Sequence, residues 1–396
     1  MSFGATQGKA WARADWLVLL VLVPLTALLF TPIILPQFRE GASSDYPAHM
    51  RFAAQINSGQ ETTPPSPNRL HSWAVGVGLR LLGLPLEAST LLVSLLTYGL
   101  SWTALYVLLL DGWGEARVGS RLGLAGLSLA LLTFGPLSLL LGDEPGAAPL
   151  STVYHSPTFM LARLLALLQT IVLVRAFWRK LTAGWPMVAL AALLSLLSTL
   201  ARPNYSLAFG PALVLLALAW HAKRWRVDGR LLWLGGLLPM ALVLVLQYVY
   251  LFIVADPQRG LALSPLGWYG LDDPDEARVL LRLVLSLALP LAIWFLYPRA
   301  SASDSYLPAM LPVLLLTVLQ AYLLVELGPS QGHGNWTWGY LSALFVVYAL
   351  STRLWLIQWR LKGRWTWREM VFGLILAFHV LSGALYYLRT LLIYWP

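Results

Sequence analysis

The sequence contains no cysteine, and only 11% of its 396 residues are charged. The absence of cysteine excludes disulfide bonds, thiolate nucleophiles and thiolate metal ligands. Soluble domains contain about 25% charged residues, so this chain has too few charges to cover the surface of a water-exposed globule. We therefore expect no separate soluble domain.

Several functional motifs are also missing. The sequence has no glycine-rich phosphate loop, no Rossmann fingerprint, no G-x-S-x-G elbow and no H-E-x-x-H pair. These patterns bind nucleotides, expose serine nucleophiles and ligate zinc. We therefore do not expect the protein to use ATP or a nucleotide sugar. The sequence also lacks an internal repeat of about 20–50 residues, the period typical of repeat architectures.

Hydrophobic residues make up 58% of the chain and form many long apolar runs. A run of about 18 or more such residues can cross a bilayer as a helix. The expected fold class is therefore an all-α polytopic membrane protein, with a single transmembrane domain over residues 1–396. About eleven spans are predicted, near residues 16–36, 86–110, 122–141, 157–176, 186–202, 205–220, 231–254, 277–297, 306–326, 338–356 and 370–392.

The segment 37–85 is predicted to be an outer loop that carries juxtamembrane helices. Its apolar stretch 69–84 is short and contains Arg80, so we interpret it as an interfacial or partly inserted helix. If this stretch crossed the membrane instead, the number of spans would rise to about twelve.

Most Lys and Arg residues fall in loops on one side of this span model, beginning with Lys9 and Arg13. Basic loops stay on the cytoplasmic side. We therefore expect a cytoplasmic N-terminus in an integral protein of the bacterial plasma membrane. The same rule explains the net charge of +9 without a nucleic-acid partner. The polar clusters then lie on the outer face, at about 39–68, 142–158, 202–205, 255–276 and 327–340.

The first outer loop places an acid and a histidine shortly after the first span. Asp45 and His49 are four residues apart, so both side chains can share one face of a helix. The sequence from Tyr46 predicts a short amphipathic helix, with Met50, Ala53, Ala54 and Ile56 apart from His49, Arg51 and Gln55. A carboxylate at this place can act as a general base or bind a cation. An ordinary solvated juxtamembrane helix is the alternative.

Three pieces follow one another over about residues 10–115. They are Asp45 in the first outer loop, a proline-rich stretch at 64–67, and a short apolar stretch that ends at 81–84 before the next full span. This order resembles the GT-C superfamily of integral-membrane glycosyltransferases, which includes protein O-mannosyltransferases and lipid A aminoarabinose transferases.

The resemblance implies a helical transferase whose donor is a polyprenyl-phosphate sugar and whose chemistry occurs on the outer side. It also implies that Asp45, as the first-loop acid, is the catalytic base. The chain departs from the family pattern at two places. Tyr46 and Pro47 follow Asp45 in place of a second acidic pair. Residues 154–158 read Tyr-His-Ser-Pro-Thr instead of the common Ser-Arg-x-x-Arg-x-Asp type.

The candidates for binding the donor phosphate are Arg202, His155 and His333. An arginine at membrane depth is costly, and a lipid phosphate can satisfy it through paired charge-assisted hydrogen bonds. Ser156 and Pro157 suit the first turn of a helix, whose N-terminus favours anions. The alternatives are an arginine that snorkels to ordinary headgroups and a plain helix cap.

Aromatic and amide side chains near the outer face are candidates for binding the sugar or the acceptor. An aromatic ring can stack on the apolar face of a sugar, and an amide can bond its hydroxyl groups. The same residues would equally suit an aromatic belt or ordinary helix contacts. The candidates are Tyr154, Asn204, Tyr205, Gln247, Tyr250, Asn335, Trp336, Trp338 and Tyr340.

The sequence thus predicts an inverting glycosyltransferase with a glycan, lipid or protein acceptor and with membrane lipid around it. Asp45 would deprotonate the acceptor, His49 would orient Asp45 or contact the acceptor, and Arg202 with His155 or His333 would neutralise the leaving phosphate. No metal-ligand spacing supports a site made of the three histidines, so no metal ligand is predicted, and a divalent metal stays open as a cofactor.

Two other functions remain as alternatives. One is a transporter or flippase of lipid-linked glycans, and the other is a polysaccharide polymerase or ligase. A transporter favours polar groups near the bilayer midplane and repeated halves, whereas the polar clusters here fall at one face. A polymerase or ligase would depend more on outer-face arginines than on a first-loop acid.

Overall fold

The computed structural model of the chain describes residues 13–39, 44–60, 68–113, 118–141, 154–178, 183–222, 227–255, 260–273, 275–328 and 334–394. The helices before the first strand are α1 (Arg13–Ile34), α2 (Tyr46–Ser58), α3 (Leu70–Leu82), α4 (Leu86–Trp113), α5 (Val118–Leu132), α6 (Pro157–Trp178), α7 (Trp185–Ala201), α8 (Pro203–Ala222) and α9 (Leu238–Tyr248). Wider π-helical turns extend α9 at both ends, over Leu231–Leu237 and Val249–Ala255. Short 3-10 turns follow α1 and α5, at Leu35–Phe38 and Leu137–Leu141.

The second part of the chain contains two strands as well as helices. The strands are β1 (Gly260–Leu263) and β2 (Leu324–Leu327). The helices are α10 (Gly267–Asp272), α11 (Glu276–Ser286), α12 (Ala288–Leu296), α13 (Pro298–Ser303), α14 (Leu307–Leu323), α15 (Thr337–Lys362) and α16 (Trp367–Tyr394).

Among the described residues, seven helices are long and apolar enough to cross a membrane. Each coincides with a span predicted from the sequence, and together they identify an integral, helical, polytopic membrane protein. They run over Asp15–Phe38, Leu86–Asp111, Pro157–Phe177, Pro203–Ala222, Leu231–Val254, Thr337–Lys362 and Trp367–Ile393.

The other predicted spans are bent or short. The predicted span 277–297 is divided into α11 and α12, which meet at an angle of 50° around Leu287. Helix α3 has 13 residues and rises about 20 Å, less than the hydrocarbon core of about 30 Å. It is therefore shorter than a full span, as predicted for an interfacial or partly inserted helix. Shorter apolar helices occupy the predicted spans 122–141, 186–202 and 306–326, as Gly119–Leu132, Trp185–Ala201 and Leu307–Leu323.

The predicted span 122–141 is interrupted, and its helix α5 ends at Leu132. Pro136 has no N–H group and disfavours helical backbone at Gly135. The backbone groups freed at this break bond to α16. The N–H of Gly135 donates to the carbonyl of His379 at 3.3 Å, and the Nδ1 of His379 lies 2.9 Å from the carbonyl of Gly135.

The predicted amphipathic helix is confirmed as α2, but one of its faces differs from the prediction. The sequence analysis places His49 on the polar face, whereas the structure buries it beside Tyr46 and Met50. Ala54, predicted to lie on the apolar face with Met50, is exposed. The reason is that α2 packs on α3, where the imidazole of His49 meets the hydroxyl of Ser72.

Helix α15 forms the centre of the bundle. Its apolar window is 89% buried, whereas the window over α9 is only 11% buried. A helix that is hydrophobic all round is found inside a bundle, and α15 packs against α4, α6, α8, α12 and α14. Helix α9 lies at the periphery, beside α7.

The two ends of α15 define the two ends of the bundle. The first, called the Asp45 end below, holds Trp338 next to Arg202. The other end, about 39 Å away along the 26 residues of α15, holds ion pairs between helices. They join Asp111 to Arg175 and Arg353, Arg353 to Asp304, and Lys362 to Glu369.

An antiparallel ribbon of β1 and β2 is an exception to the expected all-α fold. The chain leaves β1 through Leu266 and Gly267, which both have positive φ angles, +63° and +55°. A Cβ atom on Gly267 would overlap the carbonyl oxygen of Ala321 near the end of α14. This close approach holds the ribbon against α14.

We expect Gly383→Ala to destabilise the protein. A Cβ atom at this position of α16 would overlap the carbonyl oxygen of Thr133, in the break after α5. Overpacking of this kind costs about 1–3 kcal/mol, measurable as a lower Tm in detergent. Gly373→Ala in the same helix is the control, because its Cβ would lie 3.6 Å from the nearest atoms, in Trp355 and Trp365. Equal Tm values for the two variants would contradict the packing described.

Candidate active site

The carboxylate of Asp45 is left open at the start of α2. Its backbone N–H donates to the carbonyl of His155 at 3.0 Å, and the hydroxyl of Ser44 donates to the same carbonyl at 3.4 Å. Asp45 occupies the N-cap position, yet its side chain makes no capping hydrogen bond. Within the described residues no donor binds this carboxylate, and the residue is half-buried.

His49 lies one turn further along α2, between the acid and α3. Its Nδ1 is 3.1 Å from the hydroxyl of Ser72, and its ring centroid is 6.0 Å from that of His71. Burial lowers the pKa of His49 to about 4, although the charge of Asp45 raises it and that of Arg202 lowers it further. The imidazole is therefore neutral at pH 7.

His155 experiences the same charges from the other side of the site. Burial lowers the pKa of this imidazole, while Asp45 raises it and Arg202 lowers it. The backbone of the residue also binds the start of α2, as described above. Two neutral imidazoles, His49 and His155, are thus close enough to both Asp45 and Arg202 to sense their charges.

Arg202 is held in the extended link between α7 and α8. Pro203 follows it and disfavours helical backbone at Arg202, which has φ −158° and ψ 120°. One terminal nitrogen donates to the hydroxyls of Ser156 at 3.0 Å and Thr158 at 2.9 Å. The Cζ atom lies 4.1 Å from the ring centre of Trp338, a cation–π contact.

The guanidinium of Arg202 keeps one donor unused. The side chain is buried, only 5% exposed, and its Nε has no hydrogen-bond partner among the described residues. Burial lowers the pKa of Arg202 to about 10, and the charge of Asp45 raises it, so the group is charged at pH 7. It forms no ion pair with any carboxylate of the described chain. Asp45 and Arg202 therefore interact through their charges without direct contact.

The structure thus brings together Asp45, His49, His155, Arg202 and Trp338 from separate parts of the chain. Neutral imidazoles interact with the charges of both the acid and the guanidinium, and an indole ring lies against the guanidinium. This arrangement can accept a proton at the carboxylate and stabilise an anion at the guanidinium.

Three predicted substrate-binding tyrosines, Tyr154, Tyr205 and Tyr340, are buried in the core. Tyr154 stacks on Tyr386 with ring centroids 5.1 Å apart. Tyr205 shares a hydrogen bond of 2.6 Å with the hydroxyl of Thr170. Tyr340 shares a similar hydrogen bond of 2.5 Å with Ser286. These contacts join helices of the bundle.

The other predicted substrate-binding residues are spread over the Asp45 end. Asn335 donates to the carboxylate of Glu326 at 2.9 Å, and the half-buried Trp336 is the residue before the first turn of α15. Asn204 is buried where α8 crosses α15, and a Cβ on Gly339 would come within 2.9 Å of its carbonyl oxygen. Gln247 and Tyr250 belong to the peripheral α9 and the turn after it.

His333 lies outside the described residues, so its predicted role in phosphate binding stays a prediction. The structure also shows site residues that the sequence analysis missed. Ser72 contacts His49, and Thr158 holds Arg202. Ser156 was expected only as a helix cap, and it also binds Arg202. A Ser-x-Thr pair at the start of a helix is the one sequence signal that could have indicated these hydroxyl partners.

No group of three or more His, Asp or Glu side chains is arranged to hold a metal ion within the described part of the chain. No protein-family model, curated protein or solved structure matches this chain. The function must therefore be inferred from the geometry and chemistry of the site.

We expect Asp45→Asn to lower the pKa of both His49 and His155. Asp45 contributes a negative charge that raises both pKa values. When this charge is removed, burial and the charge of Arg202 lower the two pKa values further. Histidine-labelled protein in nanodiscs, titrated by NMR, should show wild-type His49 titrating near pH 4 and the variant titrating lower. Glu87→Gln, an exposed acid in the first turn of α4, is the control. If His49 titrates at its ordinary value near 6.5, or ignores Asp45→Asn, the site geometry is contradicted.

Proposed function

We propose that this protein is an inverting glycosyltransferase that uses a polyprenyl-phosphate sugar as its donor. The observation that carries the proposal is the convergence of Asp45, with an open carboxylate, and Arg202, with a buried and unpaired Nε, in one site. General-base catalysis requires the first group, and a leaving phosphate requires the second.

The proposed reaction is a single displacement at the sugar. Asp45 takes the proton of an acceptor hydroxyl, whose oxygen forms a bond to the sugar C1. The bond between C1 and the phosphate oxygen breaks, and its electron pair stays on the released polyprenyl phosphate. Arg202 stabilises that charge, and because Ser156 and Thr158 already fix the guanidinium, little reorganisation is needed.

The neutral histidines fit supporting roles in this scheme. His49 is held by Ser72 through Nδ1, which fixes the direction of its ring beside Asp45. His155 adds a second neutral imidazole that can bond to the sugar or to the phosphate. Charged histidines here would compete with Arg202 for the phosphate and weaken Asp45 as a base.

The proposal includes the finer topology. The seven candidate spans, the bent pair α11–α12 and the three shorter apolar helices would together give the eleven crossings expected from the sequence. Basic loops at the end opposite Asp45 would then place the N-terminus in the cytoplasm and the site on the outer face of a bacterial plasma membrane. This topology and the first-loop acid are the features shared with the GT-C superfamily.

We expect Asp45→Asn to abolish sugar transfer in a protein that still folds. Loss of a general base costs about 100-fold to 10,000-fold in rate. Purified protein would be incubated with a panel of radiolabelled polyprenyl-phosphate sugars and membrane extract as acceptor, and release of polyprenyl phosphate would be measured. Glu87→Gln, which removes an exposed acid, should keep full activity.

Two results would reject the transferase. One is wild-type-like transfer by Asp45→Asn with an unchanged Tm. The other is movement of the intact sugar-lipid across liposomes without loss of its sugar, which would identify a transporter or flippase of lipid-linked glycans. Elongation of a glycan that persists in Asp45→Asn and is lost in Arg202→Lys would favour a polymerase or ligase.

We expect Arg202→Lys to reduce transfer by about 100-fold to 1,000-fold, although the charge is kept. Lysine cannot present the planar fork that binds two hydroxyls and a phosphate together. Thr158→Val should give a smaller loss, because Ser156 still holds the guanidinium. Arg230→Lys, an exposed arginine before α9, is the control. Equal activities of Arg202→Lys and Arg230→Lys would remove Arg202 from the mechanism.

A further inference from the structure

Helix α14 is shorter than the hydrocarbon core of a bilayer. It runs over Leu307–Leu323, 17 residues, and rises about 25 Å, whereas the hydrocarbon core is about 30 Å thick. One side packs on α8 and α15. The opposite side bears leucines at intervals of four residues, which form one exposed row along the helix: Leu311, Leu315, Leu319 and Leu323.

The β1–β2 ribbon continues this exposed row at the Asp45 end. Strand β2 begins directly after Leu323, and the N–H of Ser264 donates to the carbonyl of Leu323 at 2.9 Å. Leu263 faces Leu324 across the ribbon, so the two side chains share one face. Leu263 is 82% exposed and Leu261, two residues before it on the same face, is 47% exposed.

The two faces of the ribbon have different surroundings. The inner face includes Val325, which is buried against the bundle, and Ala262 opposite it. On the outer face, polarity changes with distance from α14. Leu263 is nearest to the helix end, while Leu261 lies further out, opposite Glu326.

This change from apolar to polar side chains with distance from α14 matches the boundary of a bilayer. The carboxylate of Glu326 receives a hydrogen bond from Asn335, which suits the polar headgroup region. The outer edges of a two-stranded ribbon leave backbone groups unpaired, and these groups are tolerated at the interface but not deep in hydrocarbon. Because the leucine row of α14 runs directly into the ribbon, lipid is a better match to this face than a protein partner.

We propose that the β1–β2 ribbon completes the α14 span by inserting the side chains of Leu263 and Leu261 into the bilayer leaflet at the Asp45 end. The ribbon is a membrane-binding element at interfacial depth, and Leu263 lies deeper than Leu261. This surface is separate from the candidate active site, and the inference does not depend on the transferase proposal.

The absence of cysteine makes this depth directly measurable. Leu263→Cys and Leu261→Cys would each be labelled with an environment-sensitive fluorophore in nanodiscs that contain lipids brominated on the acyl chain. We expect quenching by these lipids of at least half the extent seen for Leu315→Cys on α14, which is exposed within the apolar row. Leu261→Cys should be quenched less than Leu263→Cys, and aqueous iodide should reach both labels poorly.

Glu276→Cys is the matched control in water, since it is exposed in the first turn of α11. Its label should be quenched by iodide and not by brominated lipid. If the labels on the ribbon behave like this control, the face lies in water and the proposal is overturned. If they are shielded from both quenchers, the face is covered by protein, which overturns it equally. Two independent positions ensure that a misfolded single variant does not decide the result.

Discussion

The candidate site depends on one short segment, residues 154–158, whose polar groups need hydrogen-bond partners inside the bundle. The carbonyls of Tyr154 and His155 accept hydrogen bonds from Gln37 and Asp45, which fixes the chain after α1 and the start of α2. The hydroxyls of Ser156 and Thr158 accept from Arg202. Buried polar groups without partners are costly. This segment therefore positions both the acid and the arginine.

Much of the helical framework could be predicted from the sequence, because a bilayer requires long apolar runs. The structure differs from the prediction at places where the sequence stays apolar but the helix is interrupted. Pro136 ends α5 early, and a bend at Leu287 separates α11 from α12. Neither break changes the hydropathy pattern. The ribbon was missed for the same reason, since Leu324 and Val325 directly after α14 look like more of the helix.

The structure places Asp45, His49, His155, Arg202 and Trp338 at one end of the bundle, and their roles stay predictions. Ser72 and Thr158 could not be found, because small hydroxyl residues are frequent in membrane helices and their partners are distant in sequence. Tyr205 lies near Arg202 in the chain and Tyr340 lies near Trp338, but the hydroxyls of both tyrosines form hydrogen bonds between helices. The position of a residue along the chain predicts at which end of the bundle it lies, whereas the direction of its side chain depends on packing.

The most direct test of the account is a cryo-EM structure of the protein in nanodiscs with a non-hydrolysable polyprenyl-phosphate sugar bound. The account predicts that the phosphate lies within hydrogen-bond distance of Nε of Arg202, with the sugar C1 on the side facing Asp45. A phosphate bound elsewhere, with Asp45 open only to bulk water, would contradict the assignment of this site to sugar transfer.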